Sequence, residues 1–312
     1  MLEIRPYKKG RDELVQVRIW NECFADEPGY VPLTVEELKI FLEAPDADNS
    51  GKLVAEIGGE TVGFCNARVE KNSSERKGFI PDFAILPQYR RNGYGRLLYA
   101  RALESLKARG MESVEIWIWD GALPARRFLE SLGYAHVRTS GIMGRRLAIP
   151  FGNESITEGV TIVHSDMSTK DLAIQNILEN ETFKEHYNYL PRTIEDTMFL
   201  LFKSPGLERP QMFFAMEGGE PIGYTIVMED AKWREQKGEV RGWIWDIGVL
   251  KPHRGKGVGA ALMAVGLRAL KDAGMDEAVL GVDAMNETGA LRLYEKTGFE
   301  FKSRYQAYLK AL

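Results

Sequence analysis

The sequence predicts an α/β fold built twice: two tandem domains, each a mixed, partly antiparallel sheet with helices on both faces. Three observations carry this reading. The chain has 312 residues, about twice the usual domain size. Stretches of its first half recur, in order, in its second. Each half also reads as the same series, β-α-α-β-β-β-α-β-α-β, a pattern that packs as helices against a mixed sheet.

The recurrence is specific. Asn21-Glu22-Cys23-Phe24 and Pro32-Leu33-Thr34-Val35-Glu36 match Asn180-Glu181-Thr182-Phe183 and Pro191-Arg192-Thr193-Ile194-Glu195 at an offset of 159. Gly58-Gly59-Glu60 matches Gly218-Gly219-Glu220 at 160, and Asp82 and Arg90 match Asp246 and Arg254 at 164. Glu130 and Gly133 match Glu295 and Gly298 at 165. An offset that drifts in small steps is what loop insertions leave between duplicated domains. The halves meet in Pro150-Phe151-Gly152-Asn153-Glu154-Ser155, a turn-forming stretch. The expected domains are therefore 1–151 and 152–312.

A short strand opens each half (Leu2 to Arg5; Val160 to His164) and leads into a helical region (Arg11 to Phe24; Lys170 to Glu185). A second helix opens at Thr34 and at Thr193, each with an acidic residue two or three positions on, the pattern of a capped helix start. Runs of β-branched and aromatic residues then read as strands: Lys52 to Ile57, Thr61 to Val69 and Phe79 to Leu86. Their counterparts are Met212 to Met216, Ile222 to Met228 and Val240 to Leu250. Gly58-Gly59 and Gly218-Gly219, each between two such runs, signal hairpin turns. A helix, a strand (Val114 to Trp119; Ala278 to Val282), another helix and closing strands complete each half.

Composition removes several classes of function. Hydrophobic residues make up 44% and charged residues 28%, enough to bury two cores and too ordinary for a disordered or fibrous chain. Lys+Arg 41 against Asp+Glu 45 gives a net charge of −4, which leaves no broad basic surface for nucleic acid. Two cysteines, Cys23 and Cys65, do not make a disulfide framework, and the scattered His136, His164, His186 and His253 offer no metal centre. Lys8, Lys9, Arg11, Asp12 and Glu13 exclude a signal peptide at the start of this sequence. The longest apolar helical stretch, Ala260 to Leu270, is too short to span a bilayer and carries Arg268. A cytoplasmic protein with neither membrane nor nucleic-acid partner is expected.

The chemistry concentrates in one turn. Ile247-Gly248-Val249-Leu250 has a buried-strand pattern and runs into Arg254-Gly255-Lys256-Gly257-Val258-Gly259. There a helix starts, with Val258, Ala261, Leu262, Val265 and Ala269 on one apolar face. Glycines at a helix start let a ligand approach the backbone, whose free N–H groups and dipole favour negative charge. With Arg254 and Lys256 nearby, the turn suits a diphosphate. It is not a Walker A loop, which needs Gly-Lys-Ser/Thr. A dinucleotide fingerprint belongs after the first strand of a βαβ unit, whereas here several antiparallel strands precede the turn and Arg91 stands at the first-half counterpart of Gly255.

Arg-x-x-Gly-x-Gly after a strand, then Leu280-x-Val282-x-x-x-Asn286 and Asn286-Glu287-Thr288-Gly289-Ala290-Leu291-Arg292-Leu293-Tyr294-Glu295-Lys296-Thr297-Gly298-Phe299, resembles the GNAT superfamily of acyl-CoA N-acyltransferases. The second half carries the whole pattern from Asp246 to Phe299, and the first carries it from Asp82 to Tyr134 with departures. Together they resemble the tandem two-domain type that includes mycothiol synthase, over nearly the whole chain.

The resemblance implies acetyl-CoA as co-substrate and no metal. Its pyrophosphate would lie on the amides of Arg254, Gly255, Lys256, Gly257, Val258, Gly259 and Ala260, with the Arg254 and Lys256 side chains near the phosphates. The pantetheine arm would pair with the splayed strand end at Ile247 and Val249. Asn286 would hydrogen-bond that arm, and a helix-capping role for it remains open. Tyr294 would be the general acid: a departing thiolate has a thiol pKa of about 8.5 against about 10 for a phenol, so a phenol held at the sulfur can neutralise it. A helix-core role for Tyr294 is the plain alternative.

The attacking amine must lose a proton, a cost of about 4–5 kcal/mol for a lysine-like pKa of about 10.4 at neutral pH. Asp246 is the candidate base, acting directly or through water, with Asp283 and Glu239 as others. The first half keeps a matching loop, with Ile85, Arg90, Arg91, Asn92, Gly93, Tyr94, Gly95 and Arg96 as candidate CoA-binding residues. Asp82 matches Asp246, but Leu129 stands at the place of Tyr294 and Gly121 lies near that of Asn286. Leucine cannot donate a proton, so the second half is expected to do the chemistry while the first binds CoA or serves structurally.

Acceptor signals are thin. His186 and Tyr187 border the region between the first two helices of the second half, and Glu229, Asp230, Glu235 and Glu239 are acidic residues that suit a cationic amine. The expected partner is a small-molecule or peptide amine, and the expected assembly a monomer or homodimer. Two other readings compete: a CoA-binding sensor or scaffold without turnover, and transfer of a longer acyl group.

Overall fold

A computed structural model describes residues 1–150, 158–286 and 289–312. The joining stretch 151–155 and the motif residues Glu287 and Thr288 lie outside the described residues. The chain forms two compact units, Met1–Thr139 with Arg304–Leu312, and Ser140–Ser303.

The first unit runs β1 (Leu2–Pro6), α1 (Glu13–Cys23), α2 (Val35–Leu42), β2 (Lys52–Ile57), β3 (Glu60–Asn66), β4 (Arg68–Val69), β5 (Lys77–Phe79), β6 (Phe83–Ile85), α3 (Tyr94–Ala108), β7 (Ser113–Trp119), α4 (Leu123–Ser131) and the start of β8 (Ala135–Arg146). Strands β1-β2-β3-β6 form one antiparallel sheet. Alongside, β5 pairs with β4 and, in parallel, with β7. The expected strand Phe79 to Leu86 is broken at Pro81, which has no N–H to give a ladder.

The second unit continues with β9 (Val160–His164), α5 (Thr169–Phe183), α6 (Ile194–Phe202), β10 (Leu207–Glu217), β11 (Glu220–Asp230), α7 (Ala231–Lys237), β12 (Arg241–Val249), α8 (Val258–Asp272), β13 (Glu277–Asp283), α9 (Ala290–Lys296) and the start of β14 (Glu300–Ala311). Strands β9, β10, β11 and β12 are antiparallel in that order, and β12 and β13 are parallel neighbours. Helix α7, between β11 and β12, was not expected.

The closing strands are divided between the units. Residues 140–146 of β8 pair antiparallel with β13 in the second unit, and residues 305–311 of β14 pair antiparallel with β7 in the first. The chain thus passes from the first unit to the second after Thr139 and returns at Arg304.

Local rules explain the repeated pieces. Thr34 and Thr193 cap α2 and α6, each accepting from the backbone N–H of the N3 residue while Glu37 or Asp196 accepts from the cap's own N–H, an arrangement worth about 1 kcal/mol. The glycine pairs are left-handed at both positions, with φ of 59° and 86° at Gly58-Gly59 and 60° and 88° at Gly218-Gly219. That is the conformation of a tight hairpin turn. Asn21 and Asn180 do the same work in each unit. Asn180 accepts from Arg192 N over 2.8 Å and donates to Arg192 O over 3.0 Å, as Asn21 does with Leu33. Each fastens its helix to the start of the next.

In the second unit α8 covers one face of the sheet through Val258, Leu262, Met263 and Leu267. The other face packs Tyr224, Ile226 and Met228 against Leu172 and Leu178 of α5 and Leu201 of α6. Among the described residues no helix is long and apolar enough to cross a membrane.

Candidate active site

In the second unit β12 and β13 pair only over Arg241–Trp243 and Glu277–Val279. Beyond Trp243 the β13 ladder ends while β12 continues to Val249. The parting strands open a cleft of about 410 Å³. Its walls combine the end of α5 (Thr182, Phe183), His186, the end of β12 (Ile247, Gly248, Val249), the glycine turn (Arg254, Gly255, Gly257), Gly259 and Ala260 of α8, and Gly289, Ala290, Leu293 and Tyr294 at α9.

The turn leaves the helix start exposed to the cleft. Gly255 and Gly257 have φ of 76° and 85°, and Gly257 is the N-cap of α8 with no side-chain cap hydrogen bond. The first amides of α8 therefore lack an internal acceptor and present donors and the positive dipole end to an anion. Gly259 and Ala260 reach the cleft. Val258 is 2% exposed and packs into the core, so only its backbone is available. Lys256 is exposed and lies outside the cleft lining.

Arg254 points inward. Its Nε donates to Val249 O over 2.9 Å and its Nη2 to Thr182 O over 3.0 Å. Those carbonyls end β12 and α5 and need donors, and a cation at a helix C-terminus is favoured by the dipole. The arginine thus ties the turn to both elements while it lines the cleft.

Asn286 does not cap α9, which begins at Ala290 with Gly289 as its N-cap. Instead its amide Nδ2 lies 3.2 Å from Nε2 of His186, beside the cleft. His186 also packs edge-on against Phe183, ring centroids 4.5 Å apart. Tyr187 is not in the lining.

Tyr294 is 7% exposed, with its ring against Phe299. Burial, and secondarily the charge of Asp246, push its phenol above the ordinary range, so it carries its proton at neutral pH. Asp246 sits where β12 bulges opposite Ile226 and Val227. Its Oδ2 accepts from the Tyr224 hydroxyl over 2.6 Å. Burial first and Glu179 next push its carboxyl up to about 7, against the opposing pull of Tyr224 and Arg192. A carboxyl titrating near neutrality is matched to exchanging protons there.

The other acidic candidates are occupied elsewhere. Asp283 accepts from Met285 N and Glu239 from Trp233 Nε1. Glu229 is bridged by Arg209 and Arg234, and Asp230 by Arg241 and the Trp243 indole. These charges are already compensated. What the sequence reading missed is the buried set Gln175, Glu179 and Tyr224, because polar residues on an α5 face pass for solvated ones.

The first unit keeps the turn and changes the chemistry. Gly93, φ 82°, is the N-cap of α3 without a side-chain cap bond, and Arg91 takes φ 65° where the second unit has Gly255. Arg90 Nε donates to Ile85 O over 2.8 Å, repeating Arg254. Asn92 donates to Arg90 O, Tyr94 and Gly95 are half-buried, and Arg96 bonds Ser131. Leu129, 3% exposed, is core. Asp82 lies against Lys52 and Asn66, and burial pushes its carboxyl up.

Comparison with known proteins gives the family and the fold. The model of the acetyltransferase (GNAT) family matches residues 16–134 and 173–299. The chain is 27% identical over 303 residues to a mycothiol acetyltransferase of Catenulispora acidiphila, covering 93% of each chain. It is 30% identical over 301 residues to one of Salinispora arenicola, covering 96% of this chain and 94% of that one. Its fold matches a solved tandem GNAT protein from the clavulanic acid biosynthesis pathway with a TM-score of 0.75 at 18% identity, covering 100% of this chain and 98% of the other.

Proposed function

This chain belongs to the GNAT acetyltransferase family and is an acyltransferase, and we propose that its second unit moves an acetyl group from acetyl-CoA to a primary amine by direct attack on the thioester. One observation carries the reading: a single cleft gathers the uncapped start of α8, the parted end of β12 and the Tyr294 side chain. The residues fit a CoA donor. Amides from Gly255 to Ala260 would hold the pyrophosphate, and the open edge of β12 at Ile247 and Val249 would take the pantetheine arm. The bound donor supplies an activated acyl carbon.

The protein's own part is proton handling. Asp246 accepts the proton that the acceptor nitrogen sheds as its bond to the acyl carbon forms. Tyr294 donates its hydroxyl proton to the sulfur as the carbon–sulfur bond breaks, and positioned groups of this kind are worth roughly 10²–10⁴-fold in rate. The first unit, with Leu129 at the equivalent place, has no such donor and serves as a CoA-binding or structural partner. The relatives named mycothiol acetyltransferases make a mycothiol-type small molecule the first acceptor to try.

Replacing Tyr294 with Phe tests the assignment. A free-thiol assay over a panel of amines should show kcat reduced at least tenfold, with CoA affinity nearly unchanged. Full turnover in the variant would refute the role of Tyr294. Absence of CoA release by the wild type with every amine would favour a sensor without turnover.

A further inference from the structure

Helix α5 buries two polar side chains one turn apart, Gln175 at 1% and Glu179 at 3% exposure. Burying such groups is costly unless their hydrogen bonds are met. Gln175 meets only half of its capacity. Its Nε2 donates to Glu179 Oε2 over 3.0 Å and its amide also faces the Tyr224 hydroxyl, while its Oε1 is buried without a partner. On the neighbouring β11 the Tyr224 hydroxyl donates to Asp246 Oδ2 over 2.6 Å. The far end is fixed too, because Arg192 bonds the other oxygen of Glu179. The result is a continuous chain of side chains from Arg192 through Glu179, Gln175 and Tyr224 to Asp246.

The first unit shows that the fold does not demand this chain. Gln16 occupies the position of Gln175, is 3% exposed, and also has a buried Oε1 without a partner. Yet Trp20 replaces Glu179 and Phe64 replaces Tyr224. There the aspartate, Asp82, faces Lys52 and Asn66. The glutamine occurs in both units, and only the unit with the tyrosine acid extends it to an aspartate.

We propose that Gln175 and Tyr224 are positioning residues for Asp246: Gln175 orients the Tyr224 hydroxyl, which tethers one carboxylate oxygen and favours the ionised form, leaving the other oxygen to collect the acceptor's proton. This rests on Asp246 being the base. The charged and titratable groups facing Asp246 are Glu179 of α5, Tyr224 of β11, Tyr189 and Arg192 of the α5–α6 connection, and Tyr294 of α9.

The test is the pH dependence of kcat/KM, which a purely structural role would not shift. Losing a donor to the carboxylate makes protonation easier, so the acid limb moves to higher pH. Tyr224→Phe should raise it by about one pH unit, and Gln175→Met by about half a unit. CoA affinity by calorimetry should stay within about twofold, since neither side chain lines the cleft. Gln175→Met carries the test if Tyr224→Phe does not fold. An unmoved limb in folded variants, with Asp246→Asn still crippled, overturns the positioning role and leaves the base assignment standing. Full turnover by Asp246→Asn overturns both.

Discussion

The side-chain amide of Asn286 lies 3.2 Å from Nε2 of His186, joining the segment after β13 to the segment after α5 beside the cleft. For the amide N–H to donate, the ring must present an unprotonated Nε2. A hydrogen bond of this kind is worth about 1 kcal/mol net. His186→Ala and Asn286→Ala should each weaken CoA binding about fivefold, with a double variant no weaker than about tenfold. Calorimetric titration of the four proteins checks this, and full additivity would show that the two residues act separately.

The two turn glycines should respond unequally. Gly257 is left-handed at the N-cap of α8, where a β-branched side chain is strongly disfavoured and would crowd an anion at the amides. Gly257→Val should weaken CoA binding by more than about tenfold through that strain and crowding. Gly255→Asn should stay within about threefold, because asparagine tolerates the left-handed region, and Arg91 adopts it at the matching place. Equal losses would mean that the turn does not bind through its backbone.

Stability should carry the mark of Asp246. Its carboxyl titrates up to about 7 in the fold, against about 3.9 in an unfolded chain. Between those values the folded protein holds a proton that the unfolded chain releases, so this contribution is full below about pH 4 and is lost as pH rises through 7. Asp246→Asn removes the loss. The variant should melt several degrees higher than wild type at pH 8 and match it at pH 4, while losing activity. Wild-type kcat/KM should rise through about pH 7 as the base ionises. Equal melting temperatures at pH 8 would contradict a destabilising buried carboxylate.

Much of this was legible because it is local. Thr34 with Glu37 and Thr193 with Asp196 announce capped helices by spacing alone, and paired glycines between apolar runs announce hairpins. Tyr294 and the glycine turn line one cleft. Other features were not legible. Gln175 and Glu179 look solvated in a helical pattern, and only tertiary packing turns them inward. One of the carbonyls that capture the Arg254 guanidinium, Thr182 O, belongs to helix α5, far away in the chain. Helix α7, Ala-Lys-Trp-Arg-Glu-Gln-Lys, is too short and polar to show periodicity. The alternation along β14 is the same whichever strand it pairs with.

That last strand sets a schedule for biosynthesis. Strand β7, with Ile116, Trp117, Ile118 and Trp119, receives residues 305–311 as its neighbour, yet 185 residues lie between Trp119 and Tyr305. At roughly 5–20 residues per second, a ribosome needs about 10–40 s to supply the missing partner. Throughout that interval the β7 edge waits for its partner strand, and an unpaired apolar edge is open to pairing with other chains.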